Sequence, residues 1–189
     1  APEDILTSAK PHIGTDILRR VVENAAERLT ELGGEIRYHT ALTELPMRSG
    51  EVGRIMTDGG EIECGAVVLA VGHSARDTYS MIMRRGYEVV PKAFSMGLRI
   101  EHLREDIDRS LYGDDAGHPL LPPAEYAMSR HYGERTAYTF CMCPGGEVVA
   151  ASSEEGLLAV NGMSRYARDG RNSNSAVLVS IAASDTPDG

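Results

Sequence analysis

Apolar residues are distributed along this chain in three patterns, and each predicts a different element. Ile17, Leu18, Val21, Val22, Ala25, Ala26, Leu29 and Leu32 recur at three- and four-residue intervals, which places them on one face of a helix. Thr15 stands where an N-cap belongs, Asp16 suits the positive end, and Gly33-Gly34 supplies a residue able to take the left-handed conformation that closes a helix. Phe94, Met96, Leu98 and Ile100 occupy every second position, the signature of a half-buried strand over residues 92–101. The third pattern is the unbroken run Ala-Val-Val-Leu-Ala-Val at 66–71, the composition of a strand covered on both faces of a sheet. It stops at Gly72. Ser74-Ala-Arg-Asp77 then reads as a capping box, opening a helix with Tyr79, Ile82 and Met83 on one face and Gly86 at its end. A strand, glycine turn and helix in this order leave free N–H donors and no side chain at the carboxyl end of the strand. That is a setting for a phosphate or a flat cofactor, although an ordinary strand-to-helix turn is the favoured reading of this stretch alone.

The remaining segments complete two regions. Residues 35–40 predict a strand straight after the first helix, half of a βαβ crossover whose first strand would precede residue 1. Three short strands at 41–47, 52–57 and 61–64, separated by Ser49-Gly50 and Asp58-Gly59-Gly60, predict an antiparallel meander. Beyond Pro91 the expectation is the strand at 92–101, a short helix at 103–112, a Pro- and Gly-rich loop at 113–123, and strands at 126–131 and 136–141. Cys143-Pro-Gly-Gly146 is turn chemistry, so residues 147–151 should return antiparallel to the preceding strand as a hairpin. Residues 152–174 are polar enough to be a long functional loop, and 176–181 close the chain as a strand. The expected fold class is α/β plus α+β, with domains at 1–90 and 91–189.

Nineteen basic against 28 acidic residues give a net charge of −9, spread along the 189 residues, which argues against nucleic acid or an anionic membrane as partner. No apolar stretch reaches the roughly 20 residues a membrane span needs, and the first residues lack the features of a signal peptide, so a cytoplasmic setting is expected. The chain starts at Ala1 rather than Met and stops at Gly189, which suggests a piece of a longer polypeptide. Three cysteines fit a reducing compartment. Cys141 and Cys143, two apart in a strand, form either a redox pair or, the favoured reading, two small buried apolar side chains. Zinc would need further ligands, and none stand at suitable spacing. His73, just beyond Gly72, is the histidine best placed for a role. Arg165-Tyr-Ala-Arg-Asp-Gly-Arg-Asn172 offers guanidinium groups for a carboxylate or phosphate, with a solvated loop of internal Arg–Asp pairs as the equal alternative. No nucleophile elbow, P-loop or Gly-x-Gly-x-x-Gly fingerprint occurs.

Pro11-His-Ile-Gly-Thr-Asp16, Ala70-Val-Gly-His-Ser-Ala-Arg-Asp77, Phe140-Cys-Met-Cys-Pro-Gly-Gly146, Ala150-Ala-Ser-Ser-Glu-Glu-Gly156, Asn161-Gly-Met163 and Ala167-Arg-Asp-Gly170 follow one another over nearly the whole chain. Together they resemble the uncharacterised bacterial FAD-dependent dehydrogenases related to the glutathione-reductase-like flavoproteins. The resemblance implies an FAD-binding doubly wound or three-layer domain, split along the sequence and carrying the meander, with a mostly β substrate domain inserted in it. It implies hydride transfer between a small-molecule substrate and FAD, with NAD(P) as a candidate electron partner. Ala70, Val71, Gly72 and His73 correspond to the turn beside the flavin, Val71 departing from the family's middle residue, and Leu42 falls where the backbone meets the adenine. Asn161 and Arg168 are the candidate substrate residues. The glycine fingerprint and the C-terminal flavin segment of the family are not among these residues, so most pyrophosphate contacts would come from remaining segments of a parent chain. The alternative is a non-catalytic ligand-binding or interaction domain.

Overall fold

A computed structural model of the protein describes residues 6–7 and 12–185. Its fold is mixed α/β and mostly β, and every strand pair among the described residues is antiparallel. The chain forms two compact units, one of residues 32–91 and one combining the first helix with the residues from Lys92 onward.

In the smaller unit β1 (Leu42–Glu44), β2 (Arg54–Thr57) and β3 (Gly60–Glu63) make the expected meander, in the order β1-β2-β3. Two expected strands are absent. Residues 35–40 and 66–71 make no ladder, and Val68 is 90 % exposed. A run suited to burial on both faces becomes a strand only between hydrogen-bonding neighbours, and none of the described strands lies alongside it. The helix α2 (Arg76–Arg84) follows, ended by Gly86 at φ 80°. Its N-cap is Ala75 and no side chain caps it, so the predicted capping box does not form. Thr78 and Met81 are its buried positions.

In the larger unit α1 (Thr15–Glu31) takes the predicted span, with Thr15 as its first helical residue rather than its cap. Gly14, at φ 79°, accepts the first helical bond from Leu18 N–H. None of α1's residues is buried, and Val22 is 61 % exposed, so its apolar face lies open. The sheet has the order β4-β9-β6-β5. Its strands are β4 (Phe94–Leu103), β5 (Ser129–Tyr132), β6 (Arg135–Cys143) and β9 (Asn172–Ile181). Between β4 and β5 lies α3 (Arg104–Tyr112).

The hairpin expected after Cys143 is not made: β7 (Gly146–Ala150) pairs with β8 (Val160–Ser164) in a separate two-stranded sheet. Pro144 has no N–H to give a ladder, and Gly145 at φ 61° turns the chain away from β6. The long loop expected at 152–174 is therefore shorter, because 160–164 are strand and β9 already begins at Asn172. Ser173, Asn174 and Ser175 are wholly buried, together with Pro144, so the centre of this unit is polar and tightly approached by backbone.

Candidate functional site

That buried centre is where the larger unit brings chemistry together. The Pro144-Gly145-Gly146 turn packs against the backbone of residues 168–170. A side chain at Gly145 would put its Cβ 1.9 Å from the Arg168 carbonyl oxygen, and one at Gly170 would lie 2.4 Å from the Gly145 oxygen. Glycine alone permits this approach. Gly145 N–H donates to Ser173 Oγ (3.2 Å) and Gly170 N–H to the Gly145 oxygen (3.2 Å). Beside the turn is a cavity of about 290 Å³, lined by Thr15, Gly146, Met163, Ser164, Arg165 and Asp169 among others.

Arg168 takes φ 51°, and its carbonyl accepts from Arg104 Nη1 at 3.1 Å. Its own Nη1 donates to Glu125 at 2.5 Å, leaving Nε buried without a partner. Asn161 is in β8, opposite Val149, and exposed. Both candidate substrate residues are thus in this unit, with no hydrogen bond joining them. Arg99 Nη1 bridges Asn174 Oδ1 (2.6 Å) and the Cys141 carbonyl (3.1 Å). Glu125, Arg99 and Asn174 had no sequence signal, because Ser173-Asn-Ser175 has the composition of a loop although it is the most buried stretch of strand.

The start of α1 is fixed to the same region. Asp16 accepts from Tyr166 N–H at 2.9 Å, Thr15 Oγ1 donates to the Ser164 carbonyl at 3.2 Å, and His12 Nε2 is 2.8 Å from the Arg165 carbonyl. The Tyr166 N–H, above all, holds the Asp16 carboxyl below its usual pKa range.

In the smaller unit Leu42 is half-buried in β1 opposite Thr57. Ala70, Val71, Gly72 and His73 lie exposed in unpaired chain, with Gly72 at φ 73° and its carbonyl accepting from the Tyr79 hydroxyl at 2.7 Å. A cleft of about 880 Å³ is lined by Leu45, Val52, Cys64, Val67, Leu69 and Tyr87, among others, and by none of the five residues expected to meet a cofactor. No group of three or more His, Cys, Asp or Glu side chains able to hold a metal occurs among the described residues, and no helix there is long and apolar enough to cross a membrane.

Residues 93–189 match the model of a family described as FAD-dependent protein, C-terminal domain-like. The chain belongs to this family. The matched residues take in β4 to β9 and with them the glycine turn, most of the lining of the 290 Å³ cavity, Asn161 and Arg168. The chain is also 45 % identical over 187 residues to an uncharacterised protein of Clostridium beijerinckii, an alignment covering 98 % of this chain and 35 % of that protein. It therefore spans about a third of the length of the relative it matches. Membership associates the chain with FAD-dependent proteins.

Proposed function

We propose that the chain is the part of an FAD-dependent oxidoreductase that lies against the flavin and its substrate, with hydride passing between a small molecule and FAD. Membership of the FAD-dependent family carries this reading. On it, residues 1–90 belong to a doubly wound FAD-binding domain split along the sequence, and residues 91–189 to the substrate domain. Bound FAD would supply the hydride acceptor, and the protein would supply binding, orientation and a suitable electrostatic site.

The residues at hand fit one portion of that cofactor. Val68 and Val71 present exposed apolar surface, and no atom stands within 4 Å of where a Gly72 Cβ would be, so a flat ring could lie close to that backbone. His73 adds a polar group at the rim, and Leu42 offers backbone toward the adenine. No glycine-rich cradle for the pyrophosphate is found among the described residues, and that task falls to other parts of the polypeptide. Arg168, with its unpartnered Nε, and Asn161 would orient a polar substrate. NAD(P)H is the proposed electron partner.

The test is the visible spectrum of the full-length protein after desalting. Flavin absorption that remains with the protein, falls in Gly72→Val and bleaches on anaerobic addition of NADH or NADPH is the expected result. A protein that stays colourless after incubation with FAD overturns the reading and leaves a non-catalytic binding domain.

A further inference from the structure

Cys141 and Cys143 do not sit in a regular strand. In the pairing of β6 with β9, Phe140 faces Ala176 and Cys143 faces Asn174, so three steps along β6 answer two along β9. One extra residue is accommodated there, which is a β-bulge. Cys141 takes φ 47°, a conformation that side chains other than glycine's rarely adopt and that costs on the order of 1–3 kcal/mol. Arg99 Nη1 holds the Cys141 carbonyl, and Ser175 Oγ donates to the Phe140 carbonyl at 3.3 Å, so the bulge is fixed from two sides. The two sulfur atoms are 4.0 Å apart, in van der Waals contact. In an unbulged strand, residues two apart have Cα atoms roughly 6.5–7 Å from each other, near the upper limit for a disulfide. The bulge breaks that spacing.

The two thiols also differ in access. Cys141 is exposed, whereas Cys143 is buried and donates toward the Cys141 carbonyl at 3.4 Å. Two equivalent packing groups would have no reason to be divided in this way.

We propose that Cys141 and Cys143 form a reversible dithiol–disulfide centre that exchanges with small-molecule disulfides, Cys141 being the entry thiol and Cys143 the resolving one. The Cys141 thiolate attacks one sulfur of the small disulfide, whose S–S bond breaks and releases one thiolate. The Cys143 thiolate then attacks Cys141 Sγ, displacing the second small thiolate and closing the bridge. Both cysteine sulfurs are oxidised, both sulfurs of the small molecule are reduced, and the two cysteine protons end on the released thiols. Burial, and after it the neighbouring Cys141, push the Cys143 thiol above its ordinary pKa. Closure therefore accelerates as pH rises toward the Cys143 pKa, by about tenfold per pH unit. This centre is independent of the flavin reading.

Reduced full-length protein treated with oxidised glutathione, quenched in acid and alkylated, tests it by peptide mass. The wild type is expected to lose two hydrogens from the peptide carrying both cysteines and to retain no glutathione there. Cys143→Ser should hold glutathione stably at Cys141, Cys141→Ser should react at least about tenfold more slowly at Cys143, and Cys64→Ser should form the bridge as the wild type does. A wild-type peptide whose two cysteines both remain alkylatable, or one that keeps glutathione on Cys141 without closing, overturns the proposal. The wild-type result decides the matter even if a serine variant fails to fold.

Discussion

The two units are held by different means. In the larger one, β4 and β9 pair over ten consecutive positions, and the burial centres on backbone and small polar groups: Pro144 to Gly146 and Ser173 to Ser175. In the smaller one the strands are three or four residues long, and only Leu45, Thr78 and Met81 are buried. Exposed ion pairs join its segments instead, Arg54 with Glu61 and Arg85 with Glu44. Pairs of that kind contribute little in water. The contrast shows where added atoms are tolerated. A centre made by close backbone approach has no room for them, whereas a thin meander with open apolar chain beside it has a great deal.

The largest effect should come from Gly97 in β4, where an added Cβ would lie 1.9 Å from the Val177 carbonyl oxygen across the ladder. Gly97→Ala is expected to destabilise the larger unit by about 3 kcal/mol, read as a lower urea midpoint with unchanged slope. Next is Asn174→Ala, which strips Arg99 of its buried acceptor and should cost about 2 kcal/mol. Asn174→Asp should cost less, because a carboxylate keeps the acceptor for Arg99 and removes the amide nitrogen that has no partner. If Asp proves worse than Ala, Arg99 is not the group that the Asn174 side chain serves.

A smaller effect is expected at Asp16. Its folded carboxyl holds a proton less tightly than the usual 3.8, so its contribution is complete above that value and is lost as pH falls through the lower folded value. Asp16→Asn should therefore lower stability in the neutral region, flatten the acid limb below pH 3.8 and converge with the wild type at the acid end. The smallest effect belongs to Val68. Val68→Ser should change stability by less than about 0.5 kcal/mol in this chain, whereas a valine sealed on both faces of a sheet would lose several times that.

Elements whose partners lie close by in sequence were legible before any coordinates. The meander, α1, α2 and α3 follow from periodicity and turn residues, because local hydrogen bonding completes them, whereas β4 was legible from its alternation although its partner β9 lies far along the chain. Residues 66–71 misled because an apolar run records what a segment could bury, not whether a neighbour is there to pair with it. The exchange of partners by β7 was hidden in Pro144-Gly145, which looks like any tight turn but sends the chain out of its sheet. At the candidate site the glycines and Arg168 were visible as a motif. Their mutual approach was not, since nothing in the composition of Ser173-Asn-Ser175 announces a buried strand.

The seat of α1 carries a consequence for the order in which the protein is made. Tyr166 N–H and the Ser164 carbonyl, which receive Asp16 and Thr15, lie about 150 residues further along the chain. At a synthesis rate of about 10 residues per second, the helix waits on the order of 15 seconds for them. During that interval its N-terminal turn lacks the partners that fix it, while residues 32–91, whose meander pairs neighbouring segments, can fold behind it. A ribosome paused before codon 166 would therefore leave the N-terminal turn of α1 unanchored, and release of Tyr166 would supply the N–H that fixes it.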